Sequence, residues 1–95
     1  MQYIIQKLPP HLFWDSDISK LDDVEHHEKI IVRTFELGDI DDIALTISYY
    51  GKEICSRVLK NAHYLRESAQ LFGSAFLEIN KKDFDSIHRI QHHLV

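Results

Sequence analysis

Apolar residues recur at three- and four-residue intervals from Val24 onward, and this helical period limits the possible folds more than any other feature of the chain. Such spacing places apolar side chains on one face of an α-helix. Only three Gly and two Pro occur among the 95 residues, which disfavours a turn-rich β-sandwich or barrel. The pattern therefore predicts an all-α chain whose helices bury one small core.

About five short helices are predicted. The first carries an apolar stripe over 24–35 and stops at Gly38, and the second begins at Asp39, whose carboxylate can accept from the amide three residues on. The third and fourth are expected over Lys52–Asn61 and 66–78, and the last begins near residue 80. Because every connection is short, consecutive helices should pack as antiparallel or angled pairs in a compact bundle.

The first ten residues follow a different pattern. Tyr3, Ile4 and Ile5 are β-branched or aromatic, and the segment ends at Pro9-Pro10. This composition predicts an extended N-terminal arm or one edge strand, docked on its own domain or on a neighbour. The expected organisation is an extended arm over 1–10 and a single helical domain over 11–95.

Charge and hydropathy restrict the partners. The net charge is −4, from 11 Lys and Arg against 15 Asp and Glu, and the cations are scattered singly or in pairs. Phosphate binding relies on clustered cations, so DNA or RNA is not the expected partner of the isolated chain. No apolar run reaches the roughly 18 residues of a membrane span, and the N-terminus is too polar for a signal peptide. We therefore expect a cytoplasmic protein without membrane contact.

Catalytic motifs are not evident, so neither an enzyme nor a cofactor is expected. Cys55 sits in an apolar helical pattern, which favours a buried thiol over a reactive one. No Ser occupies a G-x-S-x-G elbow, and no Gly-rich phosphate loop occurs. The acidic runs near Asp15, Asp22 and Asp39 are interpreted as turn and cap residues.

Two histidines provide a weak metal hypothesis. His88 and His92 are four residues apart, so on a helix they would share one face and could fill two positions of a zinc site. A catalytic site also needs a third ligand and usually a general base, and no Glu lies between them. We favour the interpretation that they are surface residues near a helix C-terminus.

A DNA-binding helix-turn-helix autoregulator is an alternative function. The predicted helices over Lys52–Asn61 and 66–78 are consecutive, and the second would be the recognition helix. That helix carries Leu71, Phe72 and Phe76 but only one cation, Arg66. Such a composition favours a place in the core over a place in the major groove.

Aromatic residues are the candidate binding residues. Phe13 and Trp14 follow Pro9-Pro10 and could form either a hydrophobic plug or an exposed anchor for a partner, since Trp and Tyr are enriched among binding hot spots. Tyr49 and Tyr50 are further candidates. The residues therefore favour a non-enzymatic protein-binding module, with a second copy of the chain as one alternative partner.

A set of short motifs also resembles a known family. The motifs are Leu8-Pro-Pro-His-Leu-Phe-Trp-Asp15, Leu21-Asp22, Ile31-Val-Arg33, Glu36-Leu-Gly-Asp39 and Tyr49-Tyr-Gly51. Together they resemble a family of small uncharacterised prokaryotic proteins of antitoxin type, often encoded beside nucleotidyltransferase-like toxins of the AbiEii class. The similarity spans roughly Leu8 to Phe84. It implies an antitoxin that neutralises its toxin by direct contact, and it implies no catalytic residues.

Overall fold

A computed structural model describes residues 1–85 of the chain. Within that range it contains the α-helices α1 (His27–Leu37), α2 (Ile40–Tyr50), α3 (Lys52–Asn61) and α4 (Glu67–Leu77). Short 3-10 turns lie at Pro10–Phe13, Ile18–Lys20 and Lys81–Asp83. The described part of the chain contains no strand, so the predicted all-α class is confirmed for it. None of its helices is long and apolar enough to cross a membrane.

The helix count differs slightly from the prediction. The second, third and fourth predicted helices match α2, α3 and α4, whereas α1 begins later than expected because residues 23–26 form a turn. Asn80 does act as a cap, but of the short turn Lys81–Asp83, whose Lys82 amide it accepts from. The rest of the predicted fifth helix, including His88 and His92, lies outside the described residues.

The N-terminal segment folds into turns, and the prediction of an extended arm or strand is wrong. Residues 3–7 form a turn in which the amides of Lys7 and Leu8 donate to the Ile4 carbonyl at 3.0 and 3.1 Å. Three of its side chains are buried, those of Ile4, Ile5 and Leu8. The segment packs on its own domain, because the side chain of Asp23 satisfies its backbone amides and no neighbouring strand is required.

The core consists of two clusters that meet at α1, which contacts α2, α3, α4 and the turn Pro10–Phe13. The helical cluster comprises Ile31, Phe35, Ile43, Cys55, Val58, Leu59, Leu65, Ala69, Ile79 and Phe84. The N-terminal cluster comprises Ile4, Ile5, Leu8, Leu12, Phe13, Leu21 and Ile30. The adjacent residues Ile30 and Ile31 point to different clusters, so α1 joins the two.

Tight helix boundaries keep the bundle short. Asp39 accepts from the Asp42 amide at 2.9 Å while the Asp42 side chain accepts from the Asp39 amide at 3.1 Å, a reciprocal capping box. Between α1 and α2, Gly38 is required by space, since an added Cβ would lie 2.7 Å from the Thr34 carbonyl oxygen. Between α2 and α3 stands only Gly51, whose φ of 92° is a conformation that side-chain-bearing residues rarely adopt.

Candidate partner-binding surface

The four aromatic residues predicted as anchors do not share one surface. Phe13 is only 1% exposed and belongs to the N-terminal cluster, against which Tyr49 and Tyr50 are also packed. Trp14, the next residue, is 73% exposed. Phe13 therefore has the buried position expected of a plug, whereas Trp14 has the exposure that an anchor for a partner would need. Phe13 is the plug, and it is not accessible as an anchor.

A short 3-10 turn directs the adjacent side chains of Phe13 and Trp14 to different sides. Pro9 is extended, Pro10 opens the 3-10 turn, and Trp14 ends it. Successive side chains of a 3-10 helix, with three residues per turn, point about 120° apart. Because Leu12 and Phe13 are directed into the core, the following side chain is directed to solvent.

The exposed indole of Trp14 lies over a cation that is itself held in place. The Arg33 guanidinium carbon is 6.0 Å from the centre of the Trp14 ring, within cation–π range. The two terminal nitrogens of Arg33 donate to the two carboxylate oxygens of Asp15, at 2.9 and 2.6 Å, and one also donates to the Leu12 carbonyl at 3.2 Å. We call Trp14, Asp15 and Arg33 the Trp14 patch.

Lys29 completes this charge network. Its ammonium lies 3.4 Å from Asp15 and also donates to the Ser16 hydroxyl. The hydrogen bond from Arg33 holds the pKa of Asp15 well below its usual range, and the same pair raises the pKa of Arg33. Both groups therefore stay ionised at neutral pH, and the patch presents an aromatic ring on a fixed ion pair.

Asp23 organises a second site. Its buried carboxylate accepts from the amides of Tyr3 and Ile4 at 2.6 and 3.0 Å, from the amide of Ile5 at 3.3 Å, and from the Tyr49 hydroxyl at 3.0 Å. The Asp23 backbone carbonyl accepts from the Tyr50 hydroxyl at 2.7 Å. This carboxylate is thus the point at which the N-terminal turn, the start of α1 and the end of α2 are joined.

These contacts give the two tyrosines a structural role. Burial and the nearby Asp23 carboxylate raise the pKa of Tyr49 and of Tyr50. Tyr49 also stacks on Tyr3, with 5.4 Å between ring centres, and meets the ring of Tyr50 edge-on at 4.9 Å. Both hydroxyls are used within the fold, which leaves Trp14 as the accessible member of the predicted set.

The described residues offer little for acid–base or metal chemistry. Burial raises the pKa of the Cys55 thiol to about 11, which keeps it protonated and unreactive at neutral pH. Within residues 1–85, no group of three or more His, Cys, Asp and Glu side chains is arranged to hold a metal ion. The weak metal hypothesis named His88 and His92, which lie outside this range.

Three residues essential to these sites were not identified from the sequence. Asp15 and Asp23 were interpreted as turn or cap residues, and Arg33 was noted only as part of a family motif. Their partners lie 14 to 27 residues away along the chain, so no local spacing reveals them. The available signal was weaker, namely that Asp15 directly follows an aromatic pair.

Comparison with known proteins places the chain in a family. No curated protein and no solved structure matches it. A family of unknown function, DUF6922, matches residues 8–59, which run from Leu8 before the first 3-10 turn to Leu59 in α3. The match includes the Trp14 patch, Asp23 and both tyrosines. Since it spans more than half of the chain, the protein belongs to the family of unknown function DUF6922.

Proposed function

We propose that this protein is a non-enzymatic protein-binding module whose partner docks on the Trp14 patch. The observation that carries the proposal is the 73% exposure of Trp14, the largest side-chain type, on an otherwise well-packed N-terminal cluster. Trp and Arg are the residues most enriched among interface hot spots. Here they stand together, with the indole over the guanidinium.

Preorganisation strengthens this assignment. Binding costs free energy for every flexible side chain that an interface immobilises. Arg33 already makes three hydrogen bonds, two to Asp15 and one to the Leu12 carbonyl. The guanidinium beneath Trp14 is therefore ordered before a partner arrives, and burial of the indole would yield most of its hydrophobic free energy as affinity.

The partner that we propose is a toxin, with this chain as its antitoxin. The support is the resemblance of its motifs to antitoxin-type proteins encoded beside nucleotidyltransferase-like toxins of the AbiEii class. One of these motifs, Leu8 to Asp15, includes the exposed Trp14 and also Asp15, the acidic member of the ion pair with Arg33. Neutralisation would then follow from direct contact that covers a functional surface of the toxin.

The test is a binding measurement with the product of the adjacent gene, which the proposal expects to be an AbiEii-class toxin. Calorimetry with the purified proteins should detect a complex, and co-expression should relieve toxicity. Trp14→Ala should weaken binding about thirtyfold, the effect of losing a hot spot worth about 2 kcal/mol. The folded chain should tolerate the substitution, since the side chain is largely exposed.

Tyr64→Ala is the matched control. Tyr64 is 83% exposed and lies between α3 and α4, outside the residues that the family matches. It should bind within about twofold of the original chain. If no complex forms with the product of the adjacent gene, the toxin is not the partner. If Trp14→Ala and Tyr64→Ala weaken binding equally, the Trp14 patch is not the docking surface.

A further inference from the structure

The outward face of α3 is polar and basic. Its residues form two adjacent ridges at four-residue spacing, one of Lys52, Ser56 and Lys60 and the other of Glu53, Arg57 and Asn61. All except the half-buried Ser56 are exposed. The opposite face buries Cys55, Val58 and Leu59. The helix thus presents a continuous hydrophilic strip about 15 Å long.

Charge is distributed unevenly between this strip and the rest of the chain. Residues 52–66 contain four cations, Lys52, Arg57, Lys60 and Arg66, against the single acid Glu53. The remaining residues contain seven Lys and Arg against fourteen Asp and Glu. Cations that look scattered along the sequence are therefore gathered on one helix face and on the loop that follows it, in an otherwise acidic protein.

Two depressions run along this strip and share Arg57 and Asn61. One is a groove of about 310 Å³ between α1 and α3, lined by Val32, Val58 and Ala62 together with His27 and Glu28. The other lies on α3 itself, beside Glu53, Ser56 and Lys60. Arg57 and Asn61 are four residues apart, so their side chains are neighbours on one face of α3 and border both depressions.

We propose that this surface binds duplex DNA, with α3 in the major groove and its cations on the phosphate backbone. The strip combines Arg, Lys, Asn and Ser, the side chains that contact phosphates and base edges. Tyr64, which is 83% exposed, and the exposed Arg66 follow α3 in the chain and add one aromatic ring and one cation near its end. The B-DNA major groove, about 12 Å wide, admits an α-helix.

The same features disfavour other polyanions. Duplex RNA has a deep, narrow major groove that a helix cannot enter. Protein interfaces bury an apolar and aromatic centre, whereas the two ridges of α3 carry no apolar side chain. The recognition element is α3 rather than the helix over 66–78 considered from the sequence, since α4 directs Ala69, Gln70 and Gly73 into the core.

Fluorescence anisotropy with labelled duplexes tests the proposal on the full chain. A mixed-sequence DNA duplex should bind at low salt, with log K falling against log salt with a slope of about −3, as expected for three or four phosphate contacts. Arg57→Ala with Lys60→Ala should reduce the size of this slope by about 2. Arg57→Glu with Lys60→Glu should weaken binding about tenfold or more at low salt. All of these side chains are exposed, and circular dichroism checks that the variants remain folded.

A charge-matched control separates this surface from nonspecific attraction. Lys7→Glu with Lys20→Glu changes the net charge by the same amount at two exposed residues of the N-terminal segment, and should alter DNA binding by about twofold at most. Absence of DNA binding at low salt, or equal losses in the two double variants, would overturn the proposal. Equal or tighter binding of an RNA duplex or of a polyglutamate peptide of matched length would overturn the choice of DNA.

Discussion

Residues 1–26 and residues 27–85 satisfy their backbone hydrogen-bonding groups in different ways. In the second region most backbone amides and carbonyls pair within α1 to α4. The apolar faces of these helices pack together and form the helical cluster. The first region contains only turns and short 3-10 helices, so side chains satisfy many of its backbone groups. Asp23 receives three N-terminal amides, while the amide group of Gln2 donates to the carbonyls of Ile18 and Leu21.

The stability of the two regions therefore depends on different interactions. The N-terminal region depends on hydrogen bonds that the carboxylates of Asp15, Asp22 and Asp23 accept. The helical region depends on close apolar packing, as at Gly73, where an added Cβ would lie 3.1 Å from the Phe84 ring and 3.3 Å from Leu59. Polar substitutions and acid should therefore affect the first region, and changes of shape or backbone the second.

The largest effect is expected at Asp23. Asp23→Ala would leave three backbone amides and the Tyr49 hydroxyl without their acceptor. Two of these donors, the amides of Ile4 and Ile5, make buried hydrogen bonds that water could not easily replace. Each unsatisfied buried group costs about 1–3 kcal/mol, so we expect a loss of about 3–5 kcal/mol in the free energy of unfolding. Urea denaturation followed by circular dichroism measures this loss.

Asp17→Ala provides the comparison for this substitution. Asp17 also accepts from a backbone amide, that of Ser19 at 3.1 Å, but it is exposed and caps only a short 3-10 turn. Its loss should cost about 1 kcal/mol or less. If the two alanine variants were equally stable, the N-terminal region would not depend on its buried carboxylate and the contrast between the regions would fail.

A smaller effect is expected in the helical region at Gly51. An added methyl group would meet nothing within 4 Å, yet φ of 92° and ψ of 153° form a combination reserved almost entirely for glycine. Gly51→Ala should therefore cost about 2 kcal/mol through backbone strain alone. Ser48→Ala, an exposed change in α2, should stay within about 0.5 kcal/mol in the same denaturation assay. A neutral Gly51→Ala would show that the α2–α3 junction relaxes freely.

The helical region was largely predictable because its signals are local. Periodic apolar residues predicted α2, α3 and α4, and Asp39 was identified as a cap from its distance to the amide three residues on. Gly38 was expected to end the first helix, and it does. All of these signals lie within one helical turn of the structure that they predict.

The N-terminal region was not predictable to the same degree because its contacts are distant in sequence. The β-branched residues Ile4 and Ile5 suggested a strand, but Asp23, 18 and 19 residues away, supplies the acceptor that a partner strand would have provided. The sequence likewise could not decide between plug and anchor for Phe13 and Trp14. Which of the two side chains is buried depends on how the turn Pro10–Phe13 packs against α1.

Acid should separate the two regions most directly. Amide donors, that of Glu25 first, lower the pKa of Asp22 from 3.8 to about 2, and Arg33 holds the pKa of Asp15 below its usual range. A carboxyl group whose pKa is lower in the folded state stabilises that state above its unfolded pKa, and the contribution is lost as pH falls toward the folded value. The contribution of Asp22 should therefore disappear between about pH 4 and pH 2, and that of Asp15 should persist to lower pH.

Trp14 and the helices report on this transition independently. Trp14 is the only tryptophan, adjoins Asp15 in the chain and lies over Arg33. Its fluorescence therefore reports on the ionisation of Asp15 and the order of the Trp14 patch, whereas circular dichroism follows α1 to α4. We expect the Trp14 emission to change at a higher pH than the helical signal. Arg33→Ala should move the change in emission upward, toward the unperturbed Asp value of 3.8, because the cation that lowers the Asp15 pKa is gone. The contrary result would be that emission and circular dichroism change at the same pH and that Arg33→Ala does not shift it. The two regions would then unfold as one cooperative unit, and the ionised carboxylates would stabilise both equally.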